Sequence, residues 1–173
     1  MDSSLPYTTG DWVVHLYYGV GQITAIEYKP INGEKQECYK VKTKNSTFWF
    51  PTIDCDNPRI RPVVSDEIIS KVIYHLRRKA GALETDTKYW KKKIDEVKSN
   101  GDILSITKLI RDLSTIQVVR GLNETENNAL EFFKERLLRE WASSTKEDVE
   151  KIRPTLIEHL QVSKAKAEDN GNK

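Results

Sequence analysis

Cys38, Cys55, His15, His75 and His159 are the side chains of this sequence best suited to hold zinc or, as thiols, to attack carbon. A tetrahedral zinc site needs four ligands, commonly at short repeated spacings. These five residues are scattered, with no CxxC and no closely spaced histidines, so no structural metal and no cofactor are expected. A cysteine nucleophile requires a base beside it, and the spacing supplies none. The motifs GxxxxGK[ST], HExxH and GxSxG are absent, as is a GxGxxG after a strand. Gly19-Val20-Gly21 is a lone GxG that reads as a turn. No catalysis is expected. Two thiols are also too few for a disulfide framework, which favours a reducing compartment.

Charge is more informative. Lys and Arg number 28 against 26 Asp and Glu, a net charge of +2 over 173 residues. Yet Arg77, Arg78, Lys79, Lys88, Lys91, Lys92 and Lys93 face only Glu84 and Asp86 within the same stretch, and Tyr89 and Trp90 are interleaved. Cations neutralise phosphates, and a ring can stack on or wedge against a base. Composition alone fits either a nucleic-acid surface or a solvated helix face with Trp90 in the core. A second cluster, Phe48-Trp49-Phe50, poses a similar choice. Strand alternation sends at least one of these rings outward unless both faces are covered. An exposed ring there would suit a protein partner.

The elements that position these residues change character near residue 65. Asp11–Tyr17, Gly21–Tyr28, Glu37–Lys42 and Thr47–Phe50 are rich in β-branched and aromatic residues. Turn chemistry separates them at 18–21, 30–33 and 44–46, with Asn32-Gly33 a hairpin signal and Pro51 a strand end. From Ser65 the period becomes helical. Ser65 reads as an N-cap for a stripe of Ile68, Ile69, Val72, Ile73 and Leu76, ended by Gly81. A segment with Ile94 and Val97 stops at Asn100-Gly101, and a third helix runs from Asp102 to before Gly121. Asn123-Glu124-Thr125-Glu126 is a capping-box variant opening a helix with Leu130, Phe133, Leu137 and Trp141. Thr145 is expected to cap a last helix through Val162, kinked or divided by Pro154.

The expected fold is α+β by segregation: a small SH3/Tudor-like β-barrel over 8–64, then an all-helical domain of about five helices over 66–162. Residues 163–173 are expected to form a disordered tail. No apolar run reaches the roughly 18 residues that span a bilayer, and MDSSLPYTTGDW lacks the features of a secretory leader. A cytoplasmic protein is expected, with no membrane partner.

Gly10-Asp11-Trp12-Val13-Val14, Tyr18-Gly19-Val20-Gly21, Ile26-Glu27, Phe50-Pro51 and Arg59-Ile60-Arg61-Pro62-Val63 resemble the opening module of the CarD/CdnL family of bacterial transcription regulators. Asn100-Gly101-Asp102, Ile110-Arg111-Asp112-Leu113 and 121–126 resemble the helical domain of the same family. The similarity covers about residues 8–142. It implies a Tudor-like domain that docks on the RNA polymerase β subunit. It also implies a helical domain that contacts promoter DNA, largely non-specifically and in the minor groove, at the upstream edge of the melted region. Such proteins favour the open complex, with a tryptophan wedged into the groove. The first module is also similar to that of transcription-repair coupling factors, whose motors require a P-loop absent here.

Carried over residue by residue, the resemblance puts the polymerase contact on Lys29 and Trp49, with Phe50 and Pro51 beside them. The family's DNA-contact arginines map to Lys88 and Tyr89, and with the basic, aromatic segment noted above the expected DNA contact is Lys88, Tyr89, Trp90, Lys91, Lys92 and Lys93. The family's wedge tryptophan aligns with Asp86, and the family's tyrosine with Trp90. Either Trp90 has taken over the wedge, or the chain lacks one. The expected function is open-complex stabilisation by a monomer that associates with the nucleoid through polymerase. The alternative is a protein-only polymerase adaptor without a DNA wedge. A small thiol-dependent enzyme is a further rival that would require a reactive Cys38 or Cys55.

Overall fold

Asn32 and Gly33 tolerate positive φ, and both adopt it (52° and 85°) in the computed structural model of the protein, which describes residues 6–54, 57–81 and 84–168. A two-residue turn with both φ values positive matches the twist of the strands it joins. It therefore extends the hairpin of β2 (Gly19–Ile31) and β3 (Glu34–Thr43) well beyond the expected runs, pairing Ile31 with Glu34 at its tip. β1 (Trp12–His15), β4 (Thr47–Pro51) and β5 (Ile60–Pro62) complete an antiparallel sheet of order β4-β3-β2-β1-β5. β2 begins two residues before the expected Gly21. The turn closes early because His15 Nδ1 accepts the backbone N–H groups of Tyr17 and Tyr18, at 3.0 and 3.2 Å.

A register shift between Ile23 and Ala25 bends the long hairpin, and one face encloses Val13, Ile23, Tyr39, Val41, Phe48, Phe50 and Ile60. β3 crosses so close to Gly21 that a Cβ there would lie 2.6 Å from Val41 Cγ1. The sheet is Tudor-like in its strand content and order of connection, and helices follow it, as the segregated pattern predicts.

The chain divides into two compact units, Met1–Val63 and Val64–Lys173. The second contains α1 (Asp66–Leu76), α2 (Thr87–Asn100), α3 (Ile103–Val119), α4 (Glu124–Thr145) and α5 (Val149–Glu168). α3 packs on each of the other four helices and buries Ile103, Ile106, Leu109, Ile110, Leu113 and Ile116. Its start is fixed by Asp102, whose carboxylate accepts the Ser105 N–H at 2.8 Å. At its far end Arg120 forms a double bond-pair with the buried Glu126 carboxylate, 3.0 and 2.8 Å. The same carboxylate accepts the Asn123 N–H while Asn123 accepts that of Glu126, which completes the capping box of α4.

Several helix ends differ from expectation. α1 stops at Leu76, not at Gly81. α3 holds its last turn and the chain beyond it: Arg111 Nη1 donates to the His75 carbonyl at 3.4 Å, and the Gly81 N–H donates to Asp112 at 3.0 Å. Thr145 closes α4, and Asp148 caps α5 by accepting the Glu150 N–H at 2.8 Å. Pro154 lies within α5 without dividing it. The helix continues past Val162 to Glu168, so 163–168 belong to it and not to a tail. Two bonds hold that extension: Ser163 Oγ donates to the Arg78 carbonyl at 2.7 Å, and Lys166 Nζ to the Arg77 carbonyl at 2.8 Å. Residues 169–173 lie outside the described residues. Among the described residues no helix is long and apolar enough to cross a membrane.

Two substitutions test this core. Glu126→Ala removes one half of a desolvated ion pair and of a capping box, and should lower the stability of the helical unit by about 3 kcal/mol in urea unfolding. Trp90, 1% exposed and packed with Ile94 and Val97, is expected to cost about 3–5 kcal/mol when replaced by alanine. Trp90→Ala should therefore be read by unfolding first, before any assay of function.

Candidate interaction surfaces

β4 is an edge strand, and its alternation decides which of its three rings meets solvent. Phe48 and Phe50 turn into the sheet's core, whereas Trp49 points to the other face and is 39% exposed. Phe50, expected at a partner surface, is thus a core residue (4% exposed) that supports the strand from within. Pro51 is half-buried at the strand end, opposite Cys38.

The backbone alternates as well. The Thr52 N–H donates to the Glu37 carbonyl, and the Ser46 carbonyl accepts from Thr43. Even-numbered residues of β4 therefore turn their polar backbone to β3, and Thr47 and Trp49 turn theirs to the free edge.

Trp49 stands among charges supplied by the hairpin. Lys40 is its cross-strand partner, and Lys29 Nζ lies 4.4 Å from the centre of its ring. Between the two lysines is Glu27, 2.8 Å from Lys40 Nζ and 3.6 Å from that of Lys29. Hydrogen bonding from Lys40 in the first place, with a smaller hydrogen bond from Trp49 and the two lysine charges, holds the Glu27 carboxyl below its ordinary range despite some desolvation. Ring, cations and carboxylate thus form one ordered cluster, which brings Lys29 and Trp49 together. Glu27 and Lys40 were not among the expected contact residues. The signal for them is the period-two register of the hairpin, which puts Lys40 opposite Trp49 although they lie nine positions apart in sequence.

In the helical unit the expected DNA-contact residues split. α2 turns Trp90, Ile94 and Val97 inward. Lys88, Tyr89, Lys91, Lys92 and Lys93 are exposed. Lys88, Lys91 and Lys92 line a shallow depression with Asp95, Glu96 and Ser99, and Lys93 Nζ lies 3.4 Å from Glu96. Trp90 is not available as a surface wedge: its indole N–H donates to the Glu84 carbonyl at 2.6 Å and its ring is in the core. Its 90-94-97 spacing with two aliphatic residues is the sequence signal for that burial. Asp86 has a structural role of its own. It is the N-cap of α2, with Oδ1 accepting the Lys88 N–H at 3.0 Å. The exposed rings of the helical unit among the described residues are Tyr74, Tyr89 and Phe132.

Cys38 is buried, and burial pushes its thiol up, the opposite of the shift that makes a reactive thiolate. Cys55 lies outside the described residues. Among the described residues no three His, Cys, Asp or Glu side chains gather as a metal site would require.

Residues 7–64 match the CarD-like/TRCF RID domain, and residues 71–157 match the CarD C-terminal domain. The two matches coincide with the sheet unit and with most of the helical unit. YdeB of Bacillus subtilis (strain 168), whose name carries the words transcription factor, is 31% identical over 141 residues, 78% of this chain and 89% of that protein. Order of domains, span and identity agree: the chain belongs to the CarD/CdnL family of transcription regulators, which act through RNA polymerase.

Proposed function

We propose that the protein docks, as a monomer, on the RNA polymerase β subunit through Trp49, Lys29 and the free edge of β4. In this reading the helical unit contacts promoter DNA at the upstream edge of the bubble and favours the open complex. The observation that carries it is the outward Trp49, held by Lys29, Lys40 and Glu27 on a strand edge that no described strand pairs. Large aromatic side chains dominate interface energetics, and a free edge can accept a strand from a partner. Phe50 and Pro51 contribute from beneath and at the end of the strand.

DNA contact is assigned to Lys88, Lys91, Lys92 and Lys93, with Tyr89 as the exposed ring beside them. Without Trp90 at the surface, the contact is chiefly electrostatic. A regulator that touches the melted junction better than closed duplex shifts the equilibrium by its differential affinity. A difference of about 1.4 kcal/mol changes the open-to-closed ratio about tenfold.

The burial of Trp90 and the capping role of Asp86 favour a second reading, a polymerase adaptor that makes no wedge in DNA. The half-life of promoter open complexes, with and without the protein, separates the two. Lengthening is expected; an unchanged half-life with retained polymerase binding would leave the adaptor.

Trp49→Ala should weaken binding to the β subunit by about 2 kcal/mol, roughly thirtyfold, in a titration with purified polymerase. Lys91→Glu with Lys92→Glu should leave that affinity intact, weaken association with duplex DNA and flatten its salt dependence.

A further inference from the structure

We propose that the end of the helical unit where α1, α3 and α5 meet is a second contact for the phosphate backbone of duplex DNA, made by Arg77, Arg78, Lys79, Lys108 and Lys166 around Tyr74. The proposal rests on the reading that the helical unit touches DNA, and adds to it a surface separate from the lysines of α2.

Charge segregation is the first ground. Acids and bases nearly balance over the whole chain, yet residues 68–81, 103–111 and 159–166 contain no Asp or Glu. Three hydrogen bonds draw these stretches together. Arg111 of α3 donates to the His75 carbonyl, Ser163 of α5 to that of Arg78, and Lys166 of α5 to that of Arg77. Cations from α3, from α5 and from the segment that follows α1 thus converge on one pole.

They also reach the surface. Arg77, Arg78, Lys79, Lys108 and Lys166 are exposed. Among the described residues no carboxylate lies within ion-pair distance of Arg77, Arg78, Lys79 or Lys108. Asp112, the nearest acid of α3, is occupied by Arg111 at 2.7 Å and by the Gly81 N–H. Glu158 flanks His159 at the border of the cluster. The local field is positive. His75 and His159 are each held below the ordinary histidine range, first by burial and then by neighbouring cations: Lys108, Arg111 and Arg78 for His75, Arg77 for His159.

The negative end of the α1 dipole accounts for some of this gathering. It explains Lys166, which bonds a carbonyl just past the helix. It also favours Lys108, whose charge acts on His75 in the last turn of α1. It does not explain Tyr74, 59% exposed, with the Arg78 guanidinium 5.4 Å from the ring centre. That geometry presents a flat cation supported by a ring. Phosphates spaced regularly along a duplex fit such a set. A protein partner would be expected to find an apolar centre, and at this pole Tyr74 is the one exposed large apolar side chain among the described residues.

The test uses the full chain and a fluorescent DNA duplex, with dissociation constants measured across a salt series. Arg78→Gln/Lys79→Gln/Lys108→Gln alters exposed side chains only, and its helicity and unfolding midpoint serve as the folding control. Binding should weaken uniformly across duplex sequences, and the slope of log K against log salt should shrink by about 3, one for each phosphate contact removed. Lys91→Gln/Lys92→Gln should reduce the slope separately. If the triple variant keeps the wild-type affinity and slope while the α2 variant loses both, this proposal is overturned and DNA contact through α2 stands. If the wild-type chain shows no salt-dependent binding to the duplex, the DNA reading itself falls, and the pole with it. A triple variant that loses a poly-glutamate peptide but keeps the duplex would overturn the choice of partner.

Discussion

A helix that packs against four others has little face left for water, and the helical unit is arranged around that constraint. α3 spends most of its surface on aliphatic contacts, so a charge it buries must be matched where it stands. Arg111 is 6% exposed and is met by Asp112 and by a carbonyl in the last turn of α1. Arg120 reaches Glu126 across the turn into α4. These two pairs fix where α1 ends and where α4 begins. The connections that frame the exposed cations are therefore set from inside the unit.

The sheet unit solves a different problem with the same economy of parts. A small sheet has few residues to enclose a core, so each strand gives alternate side chains to it. In β4 that rule assigns both phenylalanines inward and leaves one tryptophan outside. The cluster at Trp49 is thus a consequence of strand phase, and its lysines and glutamate are supplied by register.

Much of this was legible in the sequence, and what was not has physical reasons. Asn32-Gly33, Asp102, Asn123 with Glu126, and Gly101 at the end of α2 are local signals: each acts through a bond or a φ value within a few residues. The helix signals gave correct boundaries, and Asn32-Gly33 located its turn while the strands beside it run further than their composition suggests. The end of α1 and the extension of α5 depend on bonds between residues 75–81 and side chains 31 to 89 positions away, which no local pattern records. Trp90 was ambiguous because lysines crowd it on the chain, although its spacing with Ile94 and Val97 carries the answer. Asp86 was legible only as a departure from the family's aromatic; its use as a helix cap emerged from the geometry of α2. The cationic pole required three helices to be placed before its members could be seen as neighbours.

The open edge of β4 has a consequence for the behaviour of the protein in concentrated solution. A strand edge ready for a partner is equally ready for another copy of itself, and unprotected edges are a common route to aggregation. Here the edge strand is only five residues long, it ends in Pro51, which has no N–H to give, and Lys29 and Lys40 flank its exposed ring. Two such edges brought together would face like charges over a short, prematurely ended ladder. The lysines around Trp49 therefore act as gatekeepers of solubility as well as companions of the ring.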